Sequence, residues 1–89
     1  MNKFEVVLTA AAQDDIRQLE RPIRERLTDK LRWMAENALL LVHQPLKGEQ
    51  WAGAFKYRVG AYRIIYTLDA KKRQLIVLTI GHRRDIYKG

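Results

Sequence analysis

The stretch FKYRVGAYR, residues 55–63, predicts a β-hairpin, because β-branched and aromatic residues flank the dipeptide Gly60-Ala61 on both sides. A two-residue loop at this dipeptide would pair Val59 with Tyr62 and Arg58 with Arg63. Alternate residues of a strand point to opposite faces of a sheet, so this register divides the side chains into two sets. The apolar face carries Phe55, Tyr57, Val59, Tyr62, Ile64, Tyr66 and Leu68, and the cationic face carries Lys56, Arg58, Arg63 and Ile65.

The cationic face places two arginines opposite each other, which disfavours folding by some tenths of a kcal/mol. A bound phosphate group would remove that repulsion, because guanidinium groups match phosphate oxygens in geometry and charge. The alternative is that the arginines extend separately into water or pair with a carboxylate, for which Glu49 and Asp85 are the nearest candidates in sequence. The hairpin therefore favours a phosphate-binding surface.

The rest of the chain predicts an α+β fold in the order β-α-α-β-β-β. A strand over residues 3–8 leads through the helix N-cap Thr9 into a short helix, and Pro22 begins a second helix that runs to residue 38. Residues 39–54 form a long connection, and strands follow near 54–59, 62–68 and 74–80. We expect the two N-terminal helices to pack on one face of a small, mostly antiparallel sheet.

The register of the last strand is left open by the sequence. If Leu68 faces Ile76, then Thr79, Gly81 and Arg83 share the cationic face. The other register would present Ile80 and His82 there instead. His82 matters because it carries a side chain whose ordinary pKa lies near neutrality, so it could transfer protons.

Length and charge limit the functional classes. With 89 residues the chain predicts a single domain spanning 1–89, and the absence of cysteine excludes a disulfide framework or a thiolate metal site. No signal peptide or membrane-spanning run is evident, so the default expectation is a cytoplasmic protein without a membrane partner. Residues 1–44 are neutral overall, whereas residues 45–89 hold ten Lys and Arg against three acids, which is the whole net charge of +7. This asymmetry favours a nucleic-acid partner over a basic surface kept for solubility.

The segments LKGEQWAGAFKYRVGAYRIIYTLD (46–69) and IGHRRDIY (80–87) resemble the RelE/ParE superfamily of toxins from type II toxin–antitoxin systems, and the resemblance covers nearly the whole chain. It implies a single RelE-like toxin domain that acts as a metal-independent endonuclease without a cofactor. The implied substrate is messenger RNA in the ribosomal A site, beside 16S ribosomal RNA. The implied protein partner is a cognate RelB-like antitoxin.

The same resemblance implies the site residues. The catalytic set that it implies is Lys56, Arg58, Arg63, His82, Arg83 and Tyr87, and further RNA contacts are expected from Lys47, Arg84 and Lys88. No metal ligands are expected. The chain departs from RelE itself in having an arginine at Arg58, a shorter hairpin and no C-terminal helix after Tyr87.

The expected reaction is attack by a ribose 2′-hydroxyl on the adjacent phosphate. Arginines stay protonated, so Arg58, Arg63 and Arg83 are expected to position the phosphate and stabilise charge. Neighbouring arginines should lower the pKa of Lys56, which makes it the candidate base, with His82, Arg83 or Tyr87 as the candidate acid. Tyr87 could alternatively stack on a nucleobase. Two other functions remain open: a ParE-like inhibitor of DNA gyrase, and a basic scaffold that only docks a protein.

Overall fold

The structure, a computed structural model, describes residues 3–48 and 52–82. The predicted order of elements is confirmed, with one short strand added inside the long connection. The elements are β1 (Glu5–Leu8), α1 (Ala10–Arg17), α2 (Arg21–Glu36), β2 (Gln44–Pro45), β3 (Phe55–Val59), β4 (Tyr62–Asp69) and β5 (Gln74–His82). The added strand is β2, in a segment whose proline and glycines had predicted only a loop.

The five strands form one mostly antiparallel sheet, as expected. Their order across the sheet is β1-β5-β4-β3-β2, and only β1, which lies parallel to β5, departs from antiparallel pairing. The hairpin β3–β4 therefore lies towards one edge, with β2 outside it. β1 occupies the opposite edge.

Helix α1 is fixed to the sheet through its N-cap. The Oγ1 of Thr9 accepts a hydrogen bond from the backbone N–H of Ala12 at 3.1 Å, which confirms the predicted cap, and donates to the carbonyl of Leu78 on β5 at 2.8 Å. One hydroxyl thus satisfies a free helix N–H and joins the helix to the strand.

Helix α2 packs its apolar stripe on the sheet. Pro22 lies in its first turn, and Leu27, Leu31, Met34 and Ala35 are buried along one side. These side chains meet Ile64, Tyr66, Leu75, Val77 and Ile80 from β4 and β5. The core therefore lies between the helices and the apolar face of the hairpin, and the cationic face lies on the other side of the sheet.

The ladder between β4 and β5 contains a β-bulge that shifts the register by one residue. Ile65 pairs with Thr79 but Tyr66 pairs with Val77, so Leu78 has no partner across the ladder. Leu68 consequently pairs with Leu75 and not with Ile76, so neither of the two registers that the sequence left open holds along the whole ladder. On the hairpin side of the bulge, the structure has the first of those two registers, in which Thr79 and Gly81 pair with residues of the cationic face.

No helix in the described part of the chain, residues 3–48 and 52–82, has the length and apolar character needed to cross a membrane.

Candidate nucleic-acid interface

The hairpin has the predicted register. Val59 pairs with Tyr62, and Arg58 pairs with Arg63. Gly60 has a φ of +60°, whereas Ala61 does not have a positive φ, which is the pattern of a type II′ turn with glycine in its first central position. The tight turn fixes the register, and the register brings the two arginines together on the cationic face.

The cationic face forms one wall of a groove of about 510 Å³. Its described lining residues are Val42, Gln44, Lys56, Tyr57, Arg58 and Arg63. Lys56 and Arg63 are half-buried and Arg58 is exposed, so the two strands present three cations to the same space. Because β2 pairs Gln44 with Lys56, the segment before β3 supplies the second wall.

The electrostatics of the groove favour an anion. Among the described residues that line it, none carries a carboxylate. The four ion pairs within residues 3–48 and 52–82 all join side chains from the first 36 residues, and none of them includes Lys56 or Arg58. A polyanion entering the groove would meet the positive charges of Lys56 and Arg58, which none of these four ion pairs engages.

His82 does not lie with this cluster. It pairs with Tyr62 at the end of the ladder, and the centres of the two rings are 5.6 Å apart in an edge-on arrangement. Tyr62 packs against the core, so His82 lies on the helix-bearing side of the sheet. The physical reason is that successive side chains of a strand point to opposite faces of the sheet. Because Gly81 pairs with Arg63 on the cationic face, the next residue, His82, points to the opposite face.

Of the remaining predicted site residues, the structure describes only Lys47. Lys47 is exposed in the connection after β2 and is not among the described residues that line the groove. Arg83, Arg84, Tyr87 and Lys88 lie outside the described residues, as do Glu49 and Asp85, which were the proposed carboxylate partners. The structure therefore brings together Lys56, Arg58 and Arg63 from the predicted set.

Three groove residues were missed by the sequence analysis: Val42, Gln44 and Tyr57. Val42 and Gln44 belong to the segment that was predicted to be a loop. The alternation of half-buried and exposed residues there covers too few positions to predict a strand. Tyr57 was assigned to the apolar face, and its ring does lie 5.8 Å from the Nζ of Lys30 on α2, although it also reaches the groove.

A partly buried hydrogen-bonded pair supports the β2 wall of the groove. The Nδ1 of His43 contacts the hydroxyl of Tyr66, a core residue that is 1% exposed. Burial raises the pKa of Tyr66 to about 12, and Tyr57 adds a smaller contribution in the same direction. His43 thus anchors the segment between Val42 and Gln44 to the centre of the sheet.

No cluster of three or more His, Cys, Asp or Glu side chains suited to a metal ion occurs in residues 3–48 and 52–82.

The sequence matches a known protein family and is similar to a known relative. The sequence model described as "ParE toxin of type II toxin-antitoxin system, parDE" matches residues 6–87. The chain is similar to Toxin RelG of Mycobacterium tuberculosis, with 31% identity over 85 residues that cover 96% of this chain and 97% of the relative.

Solved structures agree with the fold. The chain superposes on a chain of the crystallised toxin–antitoxin complex RelBE2 from Mycobacterium tuberculosis with a TM-score of 0.80 and 27% identity, over 93% of this chain and 94% of that one. It superposes on the isolated RelE toxin of E. coli with a TM-score of 0.73 and 23% identity, over 94% and 90% of the two chains. The second likeness, at this low identity, concerns the fold alone.

Proposed function

The chain belongs to the RelE/ParE superfamily of toxins from type II toxin–antitoxin systems, and on that premise we propose that it is an endoribonuclease that cleaves messenger RNA in the ribosomal A site. The single observation that carries the proposal is the groove beside the hairpin, where Lys56, Arg58 and Arg63 converge. The proposed partners are messenger RNA, the ribosome with its 16S RNA, and a cognate RelB-like antitoxin.

The proposed reaction uses the substrate's own nucleophile. The 2′-oxygen of a ribose attacks the adjacent phosphorus, a bond forms between them, and the bond from phosphorus to the 5′-oxygen breaks. The 2′-proton passes to a base and the 5′-oxygen receives a proton from an acid, which leaves a 2′,3′-cyclic phosphate and a 5′-hydroxyl. No metal ion or cofactor takes part in this scheme.

Each groove cation has a role in the proposal. Arg58 and Arg63 hold the phosphate and stabilise the negative charge that builds on its oxygens in the transition state. Lys56, which lies on the same face one pleat away from Arg58, is the proposed base. The proposed acid is Arg83 or Tyr87 rather than His82, because the ring of His82 packs against Tyr62 away from the groove. Lys47, Arg84 and Lys88 are proposed to contact the RNA backbone.

A second candidate function is inhibition of DNA gyrase, and the observation that favours it is the match to a ParE toxin family. The same cations could bind DNA or an acidic protein surface without any chemistry. The two candidates differ in their products, because one gives new RNA ends and the other gives gyrase-dependent DNA breaks.

One experiment separates them. The purified protein is incubated with translating ribosomes and, in parallel, with gyrase and supercoiled DNA, and the RNA and DNA ends are mapped. We expect RNA cuts ending in a cyclic phosphate, about 100-fold fewer with Arg63→Ala, and no added DNA breaks. Lys71→Ala, an exposed lysine in the turn at the far end of β4, is the matched control and should cut normally. DNA breaks without RNA cuts would replace the nuclease proposal with the gyrase one.

A further inference from the structure

Trp33, in α2, is the only exposed residue among the Phe, Trp and Tyr side chains of residues 3–48 and 52–82. It is 43% exposed. The described Phe and Tyr residues are all buried in the core or packed against it: Phe4, Phe55, Tyr57, Tyr62 and Tyr66. A single exposed apolar side chain is ordinary, so the surroundings of the indole decide whether it forms a site.

The ammonium group of Lys30 lies between two aromatic rings. Its Nζ is 4.7 Å from the ring centre of Trp33 and 5.8 Å from that of Tyr57, and both distances are within the range of cation–π contacts. Lys30 and Trp33 are three positions apart in α2, so they lie on the same side of the helix. None of the four ion pairs in the described part of the chain includes Lys30. The charge of Lys30 is therefore held beside the rings and not by a carboxylate.

Tyr57 connects this pair to the groove. It lines the groove together with Lys56 and Arg58, and its ring is also the one that Lys30 approaches. A chain of phosphates that leaves the groove past Tyr57 would therefore meet Lys30 next and Trp33 beside it. Cations and aromatic rings alternate along this path, which is the arrangement of proteins that bind single-stranded nucleic acids.

The acids nearest to Trp33 along the helix are already paired. Asp29 and Glu36 lie about one turn before and after it. Asp29 pairs with Arg32 at 3.7 Å, and Glu36 pairs with Lys3 at 3.7 Å. An anion that approaches the indole therefore meets carboxylates whose charge a neighbouring cation offsets.

The chemistry of the pair favours a nucleotide as the occupant. An aliphatic side chain of a protein would gain from covering the indole but not from the ammonium group beside it. A nucleotide uses both, because its base stacks on an aromatic ring and its phosphate attracts a cation. The path from Tyr57 to Trp33 also continues the groove to which the proposed function assigns an RNA phosphate.

We propose that Trp33 and Lys30 form a stacking subsite for one nucleotide of single-stranded RNA, next to the nucleotide whose phosphate the groove binds. The base of that nucleotide lies on the part of the indole that Lys30 leaves open, and its phosphate lies against the ammonium group of Lys30. Stacking is tolerant of base identity, so the subsite holds the strand in place without reading its sequence. The choice of RNA as the ligand rests on the proposed function, but the subsite itself needs only binding and no cleavage.

The first test reads the indole directly in the full chain. The sequence has two tryptophans, so Trp51→Phe leaves Trp33 as the only one. The probe is a single-stranded RNA oligonucleotide with 2′-O-methyl groups, which the proposed reaction cannot cleave. We expect this oligonucleotide to quench the fluorescence of Trp33, whereas an abasic oligonucleotide of the same length and charge leaves it unchanged. Equal quenching by both probes, or none by either, would overturn the proposal.

The second test measures affinity for the same RNA. Trp33→Ala should lower it about tenfold, and Trp33→Phe, which keeps an aromatic ring, should stay within about threefold of the parent. The control is Leu39→Ala, which removes a 61% exposed apolar side chain without a ring and should bind RNA like the parent. An affinity of Trp33→Ala within about twofold of the parent would contradict the stacking.

Further arms test the lysine and the other occupants. Lys30→Met keeps most of the side chain and removes its charge, so the slope of log affinity against log salt should fall by about 0.7, and an unchanged slope would remove Lys30 from the subsite. If Trp33→Ala weakens binding of a protein partner and leaves RNA binding unchanged, Trp33 belongs to a protein surface and the proposal is wrong. A parent chain whose Trp33 is quenched by RNA but that cuts no RNA on ribosomes would overturn the nuclease function alone. A parent chain that cuts RNA without any quenching would overturn the subsite alone.

Discussion

The Nδ1 of His43 lies 2.5 Å from the hydroxyl oxygen of Tyr66, 23 positions along the chain, and its Nε2 lies 2.7 Å from the carbonyl oxygen of Ala38. A carbonyl can only accept, so Nε2 carries the proton and, in the neutral imidazole, Nδ1 accepts from the tyrosine hydroxyl. The ring also contacts Phe55, with the two centres 5.3 Å apart. One side chain therefore joins the end of α2 and the start of β2 to the core.

Replacing Tyr66 with phenylalanine should destabilise the protein. The change removes the hydroxyl but keeps the ring, so it leaves Nδ1 of His43 without its donor in a partly buried place. We expect the free energy of unfolding to fall by about 1–2 kcal/mol, measured by urea denaturation. Tyr57→Phe is the control, because no described residue hydrogen-bonds to the Tyr57 hydroxyl, and it should change stability by less than about 0.5 kcal/mol. Equal effects of the two variants would contradict this role for the pair.

The same tyrosine predicts how stability changes in alkaline solution. Burial raises the pKa of Tyr66 from its ordinary value of 10.0 to about 12, so the folded state holds this proton more tightly than the unfolded chain does. The contribution of this bound proton to the free energy of unfolding is fully present below about pH 10. It is lost as the pH rises towards 12, up to a total loss of about 2–3 kcal/mol. The measurement is the difference in unfolding free energy between the parent and Tyr66→Phe at pH 8 to 11. That difference should narrow by about 1 kcal/mol at the upper end, and parallel profiles would refute the assignment.

The pairing of Arg58 with Arg63 predicts that removing one of these charges raises stability and lowers activity. Arg58 and Arg63 occupy paired positions, so Arg58→Gln should raise the free energy of unfolding by some tenths of a kcal/mol at low ionic strength, and less in high salt. The same variant should lower RNA cleavage about 100-fold, because a charge at the phosphate is lost. Lys71→Gln should change neither quantity. A variant that is less stable than the parent and cuts RNA at full rate would contradict both parts.

Two adjacent aspartates on α1 should behave differently. The Oδ2 of Asp15 accepts from the hydroxyl of Thr79 at 2.7 Å and from the backbone N–H of Ile80 at 2.9 Å, which holds α1 against the part of β5 that extends past β1. Asp15→Ala leaves both donors without this acceptor and should cost about 2 kcal/mol in chemical denaturation. Asp14→Ala removes only an exposed ion pair with Arg17 and should cost less than about 0.5 kcal/mol. Similar losses from the two variants would show that the Asp15 contacts carry little energy.

The turn between β4 and β5 offers a route to a more stable protein. Arg73 has a φ of +53°, in the left-handed region that costs most residues about 1 kcal/mol and that asparagine tolerates. Arg73→Asn should therefore raise the melting temperature by a few degrees, in line with a gain of up to about 1 kcal/mol. Lys71→Asn in the same turn, without a positive φ, is the control and should give no gain. An unchanged or lower melting temperature for Arg73→Asn would contradict the conformational cost assigned to Arg73.

Local patterns predicted much of the site. The alternation of Lys56 and Arg58 with aromatic residues, together with Gly60-Ala61, was enough to place three cations on one face. The position of His82 could not be predicted, because it depends on which residues of β5 pair with β4, and the bulge at Leu78 changes that pairing partway along the ladder. The exposure of Leu39 and Leu40 and the groove wall at Gln44 could not be predicted either, because the segment that holds them shows neither the helical nor the strand period.

The sequence alone determined the order of helices and strands, the hairpin register and the charge of the face that the hairpin displays, since each depends on residues close together in the chain. Only the tertiary structure decided that β1 lies parallel to β5, that His43 binds Tyr66, and that Val42 stands beside Arg58. These relationships join residues far apart in sequence. They depend on how the whole core packs, and core packing cannot be predicted from a local pattern of side chains.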